Sequence, residues 1–517
     1  MASEDNRVSN SVKPTYSSLR RSLPQIIAVC IKNCLLFVHG MSLGFPTILI
    51  PGVSGRDLSE RVLLNEEEIS WISSLNLICI PLGCLVSGSV TQAVGRKRAM
   101  QFINIPFITA WIILTFSTTV WQIFLALCIL GFSGGLMEAP VLTYVAEITQ
   151  PHLRGILSST STMSVTLGML SQFILGTCTS WRTVTLINCI VPILSFISLT
   201  FVPETPVWLL SKNRSEEAKR SIVWLRGWTS VDDIQDEFQE LSKQIHLNQD
   251  NVNSRIEKLS VFTKRIFLYP CLLISFVFVL NTFNGYGPFQ VYAIKIFDAM
   301  QVSLDSYRST IIVGAMQLVG AVVCVTSISF LGKRKLNFFS LFLSGICCFS
   351  VATYAYFNNI NYFDETNTSE VNPYNWIPTL FLILFGFFSY LGIRVLPFIL
   401  IGEIFAVEIR AFSSGFSAGL GYVVGFVANK TFLTMVGTFG LPAVFWFYSA
   451  VGILGTLGLY FALPETEGKS LYEISEHFAG RSRLRNSVRR KSEKSSRIED
   501  GIHNIAFETD DKVESRL

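Results

Sequence analysis

The stretch YVAEITQPHLRG at 144–155 decides the fold, because LIGEIFAVEIRA at 400–411 repeats its glutamate and arginine at the same seven-residue spacing. Glu147 and Arg154 in the first return as Glu403 and Arg410 in the second, 256 positions on. Two further pairs keep that order. GRKR at 95–98 returns as GKRK at 332–335 after 237 positions, and PETP at 203–206 returns as PETE at 464–467 after 261. Three motifs recurring in one order describe a duplicated unit, and paired halves of that kind face each other across a central cavity that opens alternately to each side.

The chain around these motifs is apolar. Of its 517 residues 50% are hydrophobic and 15% charged, with a mean hydropathy of +0.46. Soluble domains carry about 25% charged residues, so the composition excludes a soluble multidomain enzyme. Runs of about 20 apolar residues suit a bilayer, and twelve spans are expected at 25–50, 69–91, 99–118, 121–147, 156–179, 181–202, 266–296, 306–331, 336–358, 376–403, 411–436 and 441–463. The reading is an all-α membrane protein of twelve transmembrane helices in two pseudo-symmetric six-helix halves. Its parts are an N-terminal tail (1–24), a first half (25–202), a polar helical linker (203–265), a second half (266–463) and a basic tail (464–517) with Arg489, Arg490, Lys491 and Ser492 at its centre.

Charge sets the orientation. Arg96, Lys97 and Arg98 lie between spans 2 and 3, and Lys333, Arg334 and Lys335 between spans 8 and 9, whereas 359–375 carries Asp364, Glu365 and Glu370 with no Lys or Arg. By the positive-inside rule both termini of this multi-pass chain face the cytosol; the expected location is the plasma membrane. The sequon at Asn367 falls on the outer side and is the expected glycosylation site. The net charge of +4 collects in tails and short loops, so nucleic acid is not an expected partner. Eleven cysteines lie mostly in apolar runs and read as reduced thiols. No phosphate-binding loop, HExxH or dinucleotide fingerprint is present. Neither an enzyme nor a cofactor or metal is expected; the partners are a small solute and the lipid bilayer, with one chain as the transport unit.

Arg96, Glu147, Arg154, Glu204, Arg334, Glu403, Arg410 and Glu465 all fall at cytosolic span ends. Carboxylates and guanidinium forks there can pair across neighbouring helices and latch an inner gate; the alternative is that they snorkel and fix topology.

These motifs, with PETPVWLL at 203–210 and PETEGKS at 464–470, resemble the sugar porter family of the major facilitator superfamily over nearly all of 25–475. GMSLGFPT at 40–47, LMEAP at 136–140 and WLRG at 224–227 further resemble its insect branch of facilitated trehalose transporters. The resemblance implies facilitated diffusion of a hexose or trehalose-like sugar by alternating access. It also implies site positions, and there the chain departs from the family. The span 7 signature Gln-Gln-x-Ser-Gly-x-Asn becomes NTFNGYG at 281–287, which keeps Asn281 and Asn284 as hydrogen-bonding groups. The span 5 glutamine falls on Thr162, the span 8 asparagine on Gln317, the span 10 tryptophan on Phe398 and the span 11 Asn-Trp pair on Gly421 and Tyr422. The aspartate and arginine of proton-driven relatives fall on Pro46 and Leu127, which points to a uniporter, with Glu138 as the remaining titratable candidate. The altered signature leaves two other readings open: a carrier of another small polar solute, such as a polyol or a proton-coupled substrate, or a nutrient sensor on the same fold.

One expectation comes from the repeat alone. Glu138 lies nine residues before Glu147, and Arg394 nine before Glu403. Nine residues of helix rise about 13.5 Å, which carries both from the cytosolic end to near mid-membrane. There they either pair across the cavity, contact substrate, or bond separately within their own halves.

Overall fold

The computed structural model describes residues 18–54, 62, 64–250, 265–363, 373–405, 410–469, 471–484, 486 and 488. The described residues are helical, with no strand among them. The first half comprises α1 (Ser18–Val53), α2 (Glu66–Val94), α3 (Arg96–Thr115), α4 (Val120–Leu136), α5 (Glu138–Ile148), α6 (Pro151–Cys178), α7 (Trp181–Asn188) and α8 (Ile190–Ser198). Three helices follow in the polar linker: α9 (Pro206–Ser211), α10 (Ser215–Leu225) and α11 (Gln235–Asp250). The second half comprises α12 (Arg265–Phe283), α13 (Tyr286–Val291), α14 (Ala293–Ala299), α15 (Ser306–Leu331), α16 (Lys333–Phe357), α17 (Trp376–Leu391), α18 (Leu396–Ile404), α19 (Arg410–Phe439) and α20 (Leu441–Ala462). A last helix, α21 (Leu471–Phe478), packs against α12 and α18.

Ten helical stretches among the described residues are long and apolar enough to cross a membrane. The other two of the expected twelve are special for readable reasons. α6 is 28 residues long, but its SSTSTMS run at 158–164 makes it too polar to stand out. Span 7 is apolar over Phe267–Phe283 and then breaks, because Gly285 takes φ 88°, a left-handed conformation that favours glycine.

Spans 4 and 10 break as well. α4 gives way to α5 at Met137, and α17 gives way to α18 across 392–395. Glu138 is therefore the first residue of α5 and Arg394 lies in the break before α18. The two charges that the repeat equates stand at equivalent helix breaks. Discontinuous helices leave backbone polar groups to face a cavity, as transporter sites commonly do.

The face bearing the linker helices is fixed by Gln25 near the start of α1, whose side chain donates to the Leu225 carbonyl at 3.4 Å and accepts from the Gln150 amide at 2.9 Å. At the far face, Asn65 and Glu68 form a reciprocal capping box that starts α2, at 2.8 and 3.0 Å. Within the first half, α2 and α4 approach backbone to backbone. A methyl group on Gly131 would fall inside contact distance of the Asn76 carbonyl, and one on Gly135 would collide with the Ile80 carbonyl. Small residues are what allow such contact in lipid. Gly131→Val is expected to cost about 1–3 kcal/mol by overpacking, seen as a lowered thermal midpoint of the detergent-extracted protein; an unchanged midpoint would refute this close packing.

Candidate functional site

A narrow cleft of about 80 Å³ lies between the halves, below the roughly 300–1,000 Å³ of small-molecule sites, so it has to widen to take a solute. The first half contributes Leu43, Leu77 and Met169, and the second contributes α12, α13, the α17–α18 break and α19. Of the residues expected from sequence, Asn281, Arg394, Phe398 and Tyr422 line it. Gln290 and Asn429 line it too and were not anticipated. Asn429 is seven residues, or two turns, beyond Tyr422 on α19, so the shared face was readable from the spacing.

The wall presents acceptors without partners. Asn281 Oδ1, Gln290 Oε1 and Asn429 Oδ1 are buried and make no hydrogen bond. Aromatic faces stand beside them: Phe398 packs against Phe278 at 5.5 Å and against Tyr422 at 6.5 Å between ring centroids. Carbonyl oxygens next to aromatic surface suit a solute with hydroxyl donors on its edges and apolar C–H faces.

The other sequence candidates sit elsewhere. Asn284 is fully buried and donates to Ser344 Oγ at 2.9 Å, which pins the α12–α13 break to α16 rather than facing the cleft. Gln317 is fully buried against α17 beside Gly386, outside the cleft wall, with both amide atoms unpaired. Thr162 is half-buried on α6 and is not part of the wall, while its carbonyl accepts from Thr166. Glu138 stands behind Tyr422, whose hydroxyl donates to Glu138 Oε1 at 3.2 Å across the two halves. A direct Glu138–Arg394 ion pair is not formed; Arg394 instead lies over the Tyr286 ring at 5.2 Å and the Phe398 ring at 6.0 Å. Tyr422→Phe would strand the Glu138 carboxylate and is expected to lower uptake about tenfold. Glu138→Gln, whose amide oxygen accepts the same hydroxyl, should retain most of it; equal uptake by Tyr422→Phe and the parent, at matched surface level, would exclude a working role for this bond.

The halves are joined near the far face. Thr47 Oγ1 donates to the Gln290 carbonyl at 2.9 Å, Asn429 Nδ2 to the Ser73 carbonyl at 2.9 Å and Ser70 Oγ to the Lys430 carbonyl at 3.1 Å. Lys430 Nζ also sits 4.0 Å from the Trp71 ring centroid. These bonds seal the cleft on that side.

At the linker face the repeated charges pair within each half. Arg96 Nη2 meets Glu147 Oε1 at 2.8 Å, and the Glu204 carboxylate accepts the backbone N–H groups of Arg96 and Lys97 at 3.0 Å. In the second half Lys333 Nζ meets Glu403 at 2.6 Å and Glu467 at 2.8 Å, while Glu465 accepts the backbone N–H groups of Lys333 and Arg334 at 3.1 Å. Gly95 (φ 105°) and Gly332 (φ 82°) make the two turns that present these donors. The counterpart of Arg96 is therefore Lys333, not Arg334. The Arg334 guanidinium donates to the Tyr460 carbonyl and stacks on Phe338 and Tyr460. The side chains of Arg154 and Arg410, and residue Asn367, lie outside the described residues.

An all-helical membrane fold with a polar and aromatic cleft between two helix bundles is the architecture of a carrier of the major facilitator superfamily, and the family match agrees with it. The chain belongs to the Sugar (and other) transporter family, whose profile matches residues 8–478. It is 28% identical over 485 residues to the facilitated trehalose transporter Tret1 of Apis mellifera ligustica, covering 94% of each chain. It is 27% identical over 460 residues to the human solute carrier family 2, facilitated glucose transporter member 6, covering 86% of this chain and 89% of that one. Among solved structures it is similar to the proton:xylose symporter XylE bound to 6-bromo-6-deoxy-D-glucose, with a TM-score of 0.70 at 18% identity, over 89% of this chain and 100% of that one. It is also similar to the inward-open conformation of XylE from E. coli, with a TM-score of 0.68 at 18% identity, over 87% and 98%.

Proposed function

We propose that this protein moves a sugar across the plasma membrane by facilitated diffusion, its termini and linker helices in the cytosol and Asn367 carrying an external glycan. The observation that carries the reading is the cleft itself, whose three unpartnered carbonyl oxygens and aromatic faces come mostly from the second half while Leu43, Leu77 and Met169 close it from the first. Both walls of the site belong to one chain, so a monomer suffices as the transport unit. Sealing bonds at Thr47, Ser70 and Asn429 must part for the cleft to open outward, and the charge clusters at the linker face keep each half rigid as they do. Pro46 and Leu127, at the positions where proton-driven relatives hold a charged pair, support passive movement.

The test is uptake of radiolabelled glucose, fructose, trehalose and polyols by cells lacking endogenous sugar carriers. Saturable entry of at least one sugar, not accelerated by an imposed proton gradient, is the expected result. Entry of none of them above control cells, with the protein at the surface, would exclude the reading.

A further inference from the structure

The cleft carries a cation with no acid beside it. Arg394 lines the wall, half-buried, and among the described residues no carboxylate comes within 4.0 Å of its guanidinium. Its planar face lies over Tyr286 and Phe398, and it looks toward the hydroxyls of Tyr390 and Tyr422. The Tyr390 hydroxyl accepts from Arg394 and also meets Tyr286 at 3.0 Å, while Tyr422 donates to Glu138. Glu138, the charged residue at the equivalent break, belongs to the opposite half and is occupied by Tyr422.

A guanidinium within the membrane is costly and is kept where it meets a partner, an ion or a substrate. Aromatic stacking satisfies the face of the group and the Tyr390 hydroxyl meets one N–H; the rest of the edge is a fork shaped for the two oxygens of a carboxylate. In the same wall, Asn281 Oδ1, Gln290 Oε1 and Asn429 Oδ1 are buried acceptors with no partner, free to take hydroxyl donors once the cleft widens. One fixed cation and several unpartnered carbonyls describe a solute with one carboxylate and several hydroxyl groups. We propose that the preferred substrate is a sugar acid, of the uronic or aldonic class, whose carboxylate is held by Arg394 and whose hydroxyls are held by Asn281, Gln290 and Asn429. This rests on the sugar-transport reading and narrows it. Because Arg394 stays with the protein, each transported molecule carries one negative charge across the membrane, so transport is electrogenic.

The experiment expresses the full chain in oocytes and compares radiolabelled glucuronate, gluconate, glucose and trehalose, with membrane current recorded under voltage clamp. The sugar acids are expected to half-saturate uptake at a concentration about tenfold or more below that of glucose, and their entry should produce a saturable outward current. Arg394→Gln should raise the half-saturating concentration of glucuronate roughly ten- to hundredfold more than that of glucose, as expected for losing a charged hydrogen-bond pair. Arg394→Lys, which keeps the charge without the fork, should keep the current at a weaker affinity, so a variant that fails to reach the surface does not decide the matter. Lower half-saturation for glucose or trehalose, without current and with Arg394→Gln affecting acids and neutral sugars alike, would overturn the sugar-acid assignment and leave sugar transport standing. Entry of neither acids nor neutral sugars, with the protein at the surface, would overturn both.

Discussion

Lys333→Ala is expected to be the most damaging single substitution at the linker face. Lys333 is buried and is the one ammonium between Glu403 and Glu467, at 2.6 and 2.8 Å. Its removal leaves two carboxylates side by side with no cation between them. Breaking a buried pair by taking one partner costs about 3–5 kcal/mol, and mutual repulsion of the two acids adds to that. Arg96→Ala removes the corresponding group from the first half but strands only Glu147, so its effect should be smaller. The readouts are the thermal midpoint in detergent and uptake per molecule at the surface. Lys333→Arg should preserve both, and Glu403→Gln placed on Lys333→Ala should recover part of the lost midpoint. A Lys333→Ala protein as stable as the parent would show that the cluster is solvated in the working protein. Arg334→Ala serves as the contrast: it loses a carbonyl contact and two ring contacts without stranding an acid, and should be mild.

Asn429→Leu should have the second largest effect, because Asn429 acts at two places with one amide. Its Nδ2 donates to the Ser73 carbonyl in the opposite half, and its Oδ1 is buried without a partner in a residue of the cleft wall. Leucine keeps the branched four-atom skeleton and removes both functions. Loss of a hydrogen bond to a buried substrate hydroxyl costs about 1–3 kcal/mol, or roughly five- to 150-fold in half-saturating concentration. Loss of the cross-half bond weakens the far-face seal and shifts the population toward the outward-open form. The substitution should therefore raise the half-saturating concentration and make the far ends of α2 and α19 more reactive to membrane-impermeant thiol reagents at introduced cysteines. Asn284→Ala should behave oppositely, lowering the thermal midpoint through its lost bond to Ser344 with little effect on half-saturation. If Asn284→Ala changed affinity and Asn429→Leu did not, the wall of the cleft would be assigned to the wrong residues.

The architecture was legible from the chain because lipid imposes a simple rule: long apolar runs become helices, and the three repeated motifs give their pairing into halves. The helix ends at the linker face were legible for the same reason, since Gly95 and Gly332 each precede a basic residue and Glu204 and Glu465 each follow a proline. Which basic side chain turns inward was not. GKRK at 332–335 offers three cations in a row, and only the packed helix shows that the one directly after the glycine faces Glu403. The breaks at Met137 and at 392–395 had a signal that went unread: Pro140 and Pro397 stand just beyond them and leave the carbonyls of Leu136 and Ile393 without an i→i−4 donor. Asn284 and Gln317 were placed in the cleft by their family positions, yet both are buried behind it. A residue number along a helix fixes its height in the membrane, but a kink such as the one at Gly285 rotates everything after it, and the facing side changes with it. Gln290 came into the wall by that route, whereas Asn429 follows Tyr422 by two turns on one unbroken helix.

The central claim, that one sugar site is presented alternately to the two sides of the membrane, is tested most directly by counterflow. Purified protein in liposomes is preloaded with an excess of unlabelled glucose, trehalose or glucuronate in turn, and diluted into a trace of the same compound carrying a radiolabel. Label of at least one compound should rise transiently above its equilibrium level inside and then fall as the unlabelled pool drains. Label that never exceeds that in protein-free liposomes, for any of the three, would contradict it.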